Sequence, residues 1–180
     1  RGLGDVYKRQ VIGAIEGGCR MTDYADIRML VMDVDGVMTD GKITYSSDGQ
    51  ELKSFNIKDG LGIKRAQASG IETAIITGRT SPMVERRARE LGIAHLVQGR
   101  EDKLSALSDL VDQMNLSLDQ VAYIGDDLPD LTAIESVKLG ACPADAAIEV
   151  KSKANWVSTR AGGDGCVREL CDLLVSHKSS

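Results

Sequence analysis

Two aspartates separated by one residue carry the clearest chemical signal in the chain. Asp33 and Asp35 come at the end of a short apolar run that is typical of a buried parallel strand. On an extended backbone, residues i and i+2 face the same side, so the two carboxylates crowd one site. Ionising both is costly unless a cation lies between them, and a hard, all-oxygen site suits Mg²⁺. Asp126 and Asp127 follow another predicted strand and can complete this magnesium site.

Hydroxyl and cationic side chains also follow predicted strands. Thr77 and Gly78 come directly after an apolar strand, where the hydroxyl and the next N–H could hold a phosphoryl oxygen; a Thr N-cap for the next helix is the alternative. Lys103 lies near a predicted helix start, where a cation opposes the helix dipole unless an anion lies in the site; a solvated surface lysine is the alternative. Three more cations, each of which could equally be a plain surface charge, could bind an anionic substrate: Lys64, Arg79 and Arg87.

The elements that must position these residues alternate between strands and helices. Apolar runs predict strands at 27–34, 71–76, 94–97, 120–124, 137–141 and 155–157, and helical patterns cover 59–69, 81–91, 101–114, 128–135 and 165–175. Two β-prone segments, 42–46 and 51–56, flank Ser47-Asp48-Gly49, which indicates a β-hairpin after the first strand. This alternation predicts an α/β fold, a Rossmann-like parallel sheet with helices on both faces. Ligands bind at the carboxyl ends of the strands in such a sheet, which is where the candidate residues lie.

Composition and charge limit the class of protein. The 180 residues suit one compact domain, and a hydrophobic fraction of 42% can support a core. The formal net charge of −5 argues against a general nucleic-acid or membrane-surface binder, and no long apolar run predicts a membrane span. The four cysteines form no CxxC pair and no zinc spacing, which favours reduced, structural thiols in a cytoplasmic protein.

Four short motifs occur in an order that points to one superfamily. They are Asp33-Val34-Asp35-Gly36, Ile76-Thr77-Gly78-Arg79, Lys103 and Gly125-Asp126-Asp127-Leu128-Pro129-Asp130, and together they resemble the motifs of the haloacid dehalogenase superfamily. Residues 49–62 and 162–169 look like segments of the 3-deoxy-D-manno-octulosonate 8-phosphate (KDO 8-P) phosphatase family, and the resemblance covers residues 27–174. In this chain the intervals from Asp33 to Thr77 and from Thr77 to Lys103 are too short for a cap domain, and the family that it resembles is likewise capless.

The resemblance implies a role for each candidate residue. Asp33 would attack phosphorus and form an aspartyl-phosphate, and Asp35 would act as the general acid and base. Thr77 and Lys103 would orient the phosphoryl group. Mg²⁺ would be held by Asp33, Asp126 and the backbone carbonyl of Asp35, with Asp127 acting through water, and Asp130 would support Lys103 or the metal shell. The positions that match the family's substrate residues are Asp35, Asn56, Ile57, Lys58, Asp59, Gly60, Lys64, Gly78, Arg79, Arg87 and Lys103.

The resemblance also implies an activity and an assembly. The expected activity is Mg²⁺-dependent hydrolysis of KDO 8-P, a small phosphosugar, to the free sugar acid and phosphate. A phosphatase of acylneuraminate 9-phosphate or of a broader set of phosphosugars is the alternative within the family; a phosphoacceptor signalling domain or a scaffold is the alternative outside it. The family's homotetramer, in which hairpins meet and a neighbour closes each pocket, is expected here. Apolar hairpin residues fit that interface: Ile43, Tyr45, Leu52 and Phe55.

The first twenty residues differ from the rest of the chain. They show neither a helical nor a strand period, and Met21 follows them as a candidate initiator. Residues 5–10 resemble a translated sequencing adapter. We therefore expect residues 1–20 to be a non-native or disordered leader and residues 21–180 to be a single phosphatase domain; a genuine flexible extension is the alternative.

Overall fold

Six short strands form the centre of the molecule in a computed structural model that describes residues 23–178. Two more strands pair as an antiparallel hairpin. In chain order the strands are β1 (Met29–Met32), β2 (Thr44–Tyr45), β3 (Glu51–Leu52), β4 (Glu72–Ile76), β5 (His95–Val97), β6 (Val121–Ile124), β7 (Leu139–Cys142) and β8 (Trp156–Val157). The sheet has the order β5-β4-β1-β6-β7-β8, and every pair is parallel. β1 therefore lies between β4 and β6, which brings the ends of these three strands together.

Helices connect the strands, as parallel pairing requires. They are α1 (Ile57–Ala68), α2 (Pro82–Leu91), α3 (Lys103–Gln113), α4 (Leu131–Ser136), α5 (Ile148–Lys153) and α6 (Cys166–Lys178), with 3₁₀ turns at Leu118–Gln120 and Leu128–Asp130. In front of two of the helices, a side chain accepts a hydrogen bond from an otherwise unpaired N–H group. Asn56 caps α1 by accepting from the N–H of Lys58 at 2.8 Å, and Asp102 caps α3 by accepting from that of Ser105 at 3.1 Å.

The two faces of the sheet carry separate apolar cores. Because successive side chains of a strand point to opposite faces, Leu30 and Met32 pack into one core, and Met29 and Val31 pack into the other. Residues of α1, α2 and α6 complete the first core, and residues of α3, α4 and α5 complete the second. This arrangement confirms the predicted α/β fold with helices on both faces.

The predicted elements differ from the observed ones in a few places. The helix predicted over 128–135 is wrong in its first turn, because Asp127 and Pro129 start a 3₁₀ turn before α4 begins. α5 was not predicted, since it has only six residues and its two apolar positions, Ile148 and Val150, are two apart and show no helical period. Between β1 and β4 the chain holds only the hairpin and α1, so no cap domain lies in this interval.

Two sequence-based expectations concern other parts of the chain. The leader predicted over residues 1–20 lies outside the described residues. Within residues 23–178, none of the helices is long and apolar enough to cross a membrane.

Candidate active site

The predicted catalytic and metal residues meet in one cavity at the carboxyl ends of β1, β4 and β6. The cavity has a volume of about 370 Å³. It forms there because strand order places β1 between the other two strands, so that the loops after all three converge. Its lining includes Asp33, Asp35, Thr77, Gly78, Arg79, Lys103, Asp126 and Asp127, together with Gly41, Glu101, Pro129 and Asp130.

Lys103 is buried at the floor of this cavity. Its side chain is 4% exposed, and its Nζ donates to Asp33 Oδ1 at 2.7 Å and to Asp130 Oδ1 at 3.1 Å. Burial alone lowers the pKa of Lys103, but attraction to the two aspartates outweighs it and raises the pKa above its ordinary value. Lys103 is therefore a charged group aimed at Asp33 and not a solvated surface lysine.

Asp130 and Tyr123 hold Lys103 and the adjoining loop in place. Asp130 Oδ1 also accepts from the Tyr123 hydroxyl at 2.7 Å, and Oδ2 accepts from the backbone N–H groups of Asp126 at 3.2 Å and Asp127 at 3.4 Å. Burial, followed by the charge of Asp130, raises the pKa of Tyr123 well above its usual range. We call Asp33, Lys103, Tyr123, Asp126 and Asp130 the strand-end cluster.

Tyr123 was missed from the sequence. A tyrosine inside an apolar strand is expected simply to fill the core, and β6 offers no pattern that marks its hydroxyl. The structure shows that the ring packs in the core while the hydroxyl reaches the polar site.

The carboxylates of the cluster fit a hard divalent cation. Asp33, Asp126 and Asp130 each place an oxygen within 4.8 Å of the others. Burial, reinforced by repulsion from Asp33 and Asp130, raises the pKa of Asp126 to about 7, and a cation would relieve that repulsion. Because both oxygens of Asp130 already accept hydrogen bonds, Asp33 and Asp126 are the two carboxylates best placed for a metal.

The loops around Asp126 leave it close to the chain after β1. Gly36 has φ +90°, and a Cβ at this position would lie 2.1 Å from Asp126 Oδ2. Glycine therefore permits both the turn and the close approach of the two aspartate loops. Asp127 is exposed, and its side chain accepts from the N–H of Leu128 at 2.8 Å.

Thr77 is buried in the cavity wall, and its N–H donates to the carbonyl of Val97 at 2.9 Å. The N-cap position of α2 is occupied by Ser81, so the alternative that Thr77 caps this helix is wrong. Thr77 and Gly78 thus line the same cavity as Asp33.

The hairpin adds charged groups that the sequence did not indicate. Lys53 donates to Asp35 Oδ1, and its Nζ lies 3.4 Å from Glu51 Oε1. Arg79 Nη2 lies 2.8 Å from Glu51 Oε2. The sequence predicts the two strands of the hairpin, but nothing in it shows which face of the hairpin lies towards Asp35.

The predicted substrate residues between 56 and 64 do not line this cavity. Asn56 caps α1 and donates through Nδ2 to the carbonyl of Gly163 at 3.1 Å. Asp59 is buried, and its Oδ1 accepts from the N–H of Arg168 at 2.8 Å, so it caps the first turn of α6. Lys58 lines a separate cleft beside Arg160. Ile57 and Lys64 are exposed on α1, and Gly60 is buried there.

Arg87 lies in a second cleft, of about 340 Å³, together with Lys53, Phe55, Met83, Arg86 and Glu90. Its Cζ stacks 5.8 Å from the centroid of the Phe55 ring. A Cβ at position 60 would lie 2.5 Å from Arg87 Nη2, so Gly60 allows this packing. Since Lys53 contacts Asp35, the second cleft adjoins the first.

Comparison with known proteins gives a consistent assignment. Residues 92–170 match the family model of the haloacid dehalogenase-like hydrolases. The KDO 8-P phosphatase of Salmonella typhi is 49% identical over 155 residues, which cover 86% of this chain and 82% of that protein. The structure of the KDO 8-P phosphatase from Moraxella catarrhalis in complex with a magnesium ion, a phosphate ion and KDO has a TM-score of 0.86 and 43% identity, covering 89% of this chain and 94% of that one. The Yersinia pestis enzyme of the same name has a TM-score of 0.85 and 46% identity, covering 87% and 85%.

The chain therefore belongs to the haloacid dehalogenase-like hydrolases, the class of protein that the parallel sheet and the strand-end cluster define. Within that class it belongs to the family of KDO 8-P phosphatases.

Proposed function

We propose that this protein is a phosphomonoesterase that hydrolyses KDO 8-P to the free sugar acid and phosphate. The observation that carries the proposal is the 2.7 Å contact between Lys103 Nζ and Asp33 Oδ1 inside the cavity. A carboxylate beside a buried cation, with Thr77 and Gly78 at the end of the neighbouring parallel strand, is suited to receive a phosphoryl group. Relatives at up to 49% identity carry this activity in their names.

The reaction runs in two steps on the residues of the cavity. An Asp33 carboxylate oxygen attacks phosphorus, the P–O bond to the sugar breaks, and the leaving oxygen takes the proton of the Asp35 carboxyl group. Water then attacks the aspartyl-phosphate and gives a proton to Asp35, which frees phosphate and restores Asp33. Lys103, Thr77 and Gly78 bind the phosphoryl oxygens in both steps.

A Mg²⁺ ion, which the Moraxella catarrhalis relative contains, fits the carboxylates at the strand ends. Asp33 and Asp126 would hold it, with the backbone carbonyl of Asp35 and, through water, Asp127 in support. When bound, it supplies positive charge against the phosphoryl oxygens.

The sugar acid would extend from the cavity towards the second cleft. Arg79 lines the first cavity and Arg87 lines the second, so both cations lie along the path of a substrate whose phosphate is at Asp33. Guanidinium groups bind carboxylates through paired hydrogen bonds, which suits the acid group of KDO.

We also propose that the protein works as a homotetramer. Tyr45 of the hairpin is 65% exposed and Ile57 of α1 is 81% exposed, while Ile43 and Leu52 are exposed beside them. Such surface favours burial against another copy. Because residues 56–64 do not reach the cavity of their own chain, a neighbouring site is where they could contact substrate. Light scattering at micromolar protein should give a tetramer, and a monomeric mass would rule it out.

Measurements of substrate turnover distinguish the proposed activity from its alternatives. We expect multiple-turnover phosphate release from KDO 8-P, with a higher kcat/KM than for acylneuraminate 9-phosphate. A preference for the nine-carbon substrate would support an acylneuraminate 9-phosphate phosphatase instead. Equal activity on many phosphosugars would support a broader phosphosugar phosphatase of the same family. Transfer of a single phosphoryl group without turnover would instead support a phosphoacceptor signalling domain, and no reaction would support a scaffold.

The functional unit that we propose is residues 21–180, acting in the cytoplasm. Cys142, Cys166 and Cys171 are free, buried thiols, in keeping with a reducing compartment. Removal of residues 1–20 should leave kcat and KM unchanged, and a loss of activity on removal would contradict this boundary.

A further inference from the structure

Lys53 carries a buried ammonium group at the edge of the cavity, although no motif singles it out. Its side chain is only 3% exposed. Burying an ammonium group is costly unless opposite charges compensate for the lost water. Glu51 supplies the opposite charge, since Lys53 Nζ lies 3.4 Å from Glu51 Oε1. Nζ also donates to Asp35 Oδ1, and this oxygen accepts the hydrogen bond while the other oxygen of the carboxyl group carries the proton.

Strand alternation explains how the hairpin delivers this group. Along an extended chain, Glu51 and Lys53 face one side and Leu52 faces the other, and Leu52 is exposed while Lys53 is buried. Arg79, in the loop after β4, holds Glu51 at 2.8 Å. These contacts form a hairpin ion-pair chain that joins the loop after β1, the hairpin and the loop after β4: Asp35, Lys53, Glu51 and Arg79.

The Asp35 carboxylate has little else to orient it. Its side chain is 26% exposed, and the hydrogen bond from Lys53 is the one that residues 23–178 make to it. A carboxyl group free to rotate would spend much of its time away from the leaving oxygen. Fixing its direction supplies part of the rate advantage of a positioned acid.

We infer that Lys53 is a positioning residue that aims the Asp35 carboxyl group at the leaving oxygen, and that Glu51 and Arg79 hold Lys53 in turn. The inference rests on the proposed function, in which Asp35 protonates the oxygen that departs from phosphorus. It makes the hairpin part of the catalytic apparatus of its own chain, in addition to any contact with a neighbour.

Leaving-group dependence separates this role from a structural one. A sugar alkoxide needs a proton as the P–O bond breaks, whereas p-nitrophenolate leaves readily without one. The ratio kcat/KM reports the steps up to transfer of the phosphoryl group to Asp33, so it isolates the step in which Asp35 is the acid. A misplaced Asp35 should therefore slow the sugar phosphate much more than p-nitrophenyl phosphate.

The variant Lys53→Met keeps the length and packing of the side chain and removes the charge. We expect it to lower kcat/KM for KDO 8-P about 100-fold and for p-nitrophenyl phosphate no more than about threefold. Lys53→Arg should recover part of the selective loss. The matched control is Lys42→Met, because Lys42 is 78% exposed and pairs with Asp40, and neither side chain lines the cavity. It should change kcat/KM for neither substrate.

An equal loss on both substrates, or no loss on either, would overturn the inference. If Lys53→Met melts well below the unaltered protein, Glu51→Gln decides instead, and it should show a smaller loss with the same selectivity. Failure of the unaltered protein to turn over KDO 8-P would count against the proposed function alone. In that case, any alkyl phosphomonoester that the protein does hydrolyse replaces KDO 8-P in the comparison.

Discussion

The strand-end cluster and the segment 43–64 differ in how far residues of the same chain bury them and supply their polar partners. In the cluster, Lys103 and Asp130 are buried and each has several polar partners. In the segment, Tyr45 and Ile57 leave large apolar surfaces exposed, and Lys58 lies outside the cavity around Asp33. One chain therefore completes the strand-end cluster by itself, whereas the exposed apolar surface of the segment is the part that the proposed tetramer would cover.

Among the changes to the strand-end cluster, loss of the proposed nucleophile should have the largest effect on the rate of catalysis. Asp33→Asn should lower kcat at least about 1,000-fold, which is about 4 kcal/mol of transition-state stabilisation, while leaving the circular dichroism spectrum unchanged. The amide keeps the shape of the side chain but attacks phosphorus poorly. Retention of more than about a tenth of the rate, which would be a loss of under about 1.4 kcal/mol, would contradict this assignment.

Loss of Asp130 should affect stability more than replacement of an exposed apolar residue in the segment 43–64. Asp130→Ala removes the hydrogen-bond acceptor of Lys103, Tyr123 and two backbone N–H groups, all of them at least partly buried. We expect the free energy of unfolding to fall by about 3 kcal/mol, as measured by urea denaturation. The control Asp127→Ala removes an exposed neighbour and should cost less than about 1 kcal/mol. Equal effects of the two variants would show that Asp130 is not the centre of the network.

The pH dependence of stability tests the carboxylates of the cluster without any substrate. Burial and repulsion raise the pKa of Asp126 from 3.8 to about 7, and burial and Asp130 also raise the pKa of Asp33. A group with a raised pKa binds more protons in the folded state, so stability falls as pH rises through the window between its two pKa values. Metal-free protein should therefore melt at a higher temperature at about pH 5 than at about pH 8.

Two additions complete this pH experiment. Mg²⁺ at the higher pH should recover the lost stability, because it neutralises the carboxylates. Asp126→Asn should flatten the pH dependence. A metal-free melting temperature that rises towards pH 8 would show that this repulsion does not control stability.

The smallest effect on the stability of the single chain is expected for a substitution in the hairpin. Tyr45→Lys replaces an exposed apolar residue, so the stability of the isolated chain should change by less than about 0.5 kcal/mol. The same change should dissociate the proposed tetramer, as measured by sedimentation. Ser47→Lys, at the exposed hairpin turn, is the matched control and should leave the mass unchanged.

Prediction and structure agree where the sequence signal comes from neighbouring residues, and they differ where a contact joins residues far apart in the chain. Gly92 ends α2 as predicted, and the strands predicted for the central sheet correspond to observed ones. α1 begins two residues before the predicted start, because Asn56 caps it. Asp33 and Asp126 could be placed at strand ends because Asp33 directly follows an apolar run and Asp126 follows one after Gly125. Asp59 could not be interpreted correctly, since its partner is the N–H of Arg168 on a helix far along the chain.

Residue order and spacing determined the fold class, the family and the chemical types that meet at the strand ends, because hydrophobic period and short motifs are properties of neighbouring residues. Tertiary structure alone decided that the Tyr123 hydroxyl supports Asp130, that Lys53 reaches Asp35, and that residues 56–64 do not line the cavity. Those outcomes depend on which face of a strand or helix packs inward and on how close distant segments come. Both are set by the whole core, and neither is encoded in a local pattern.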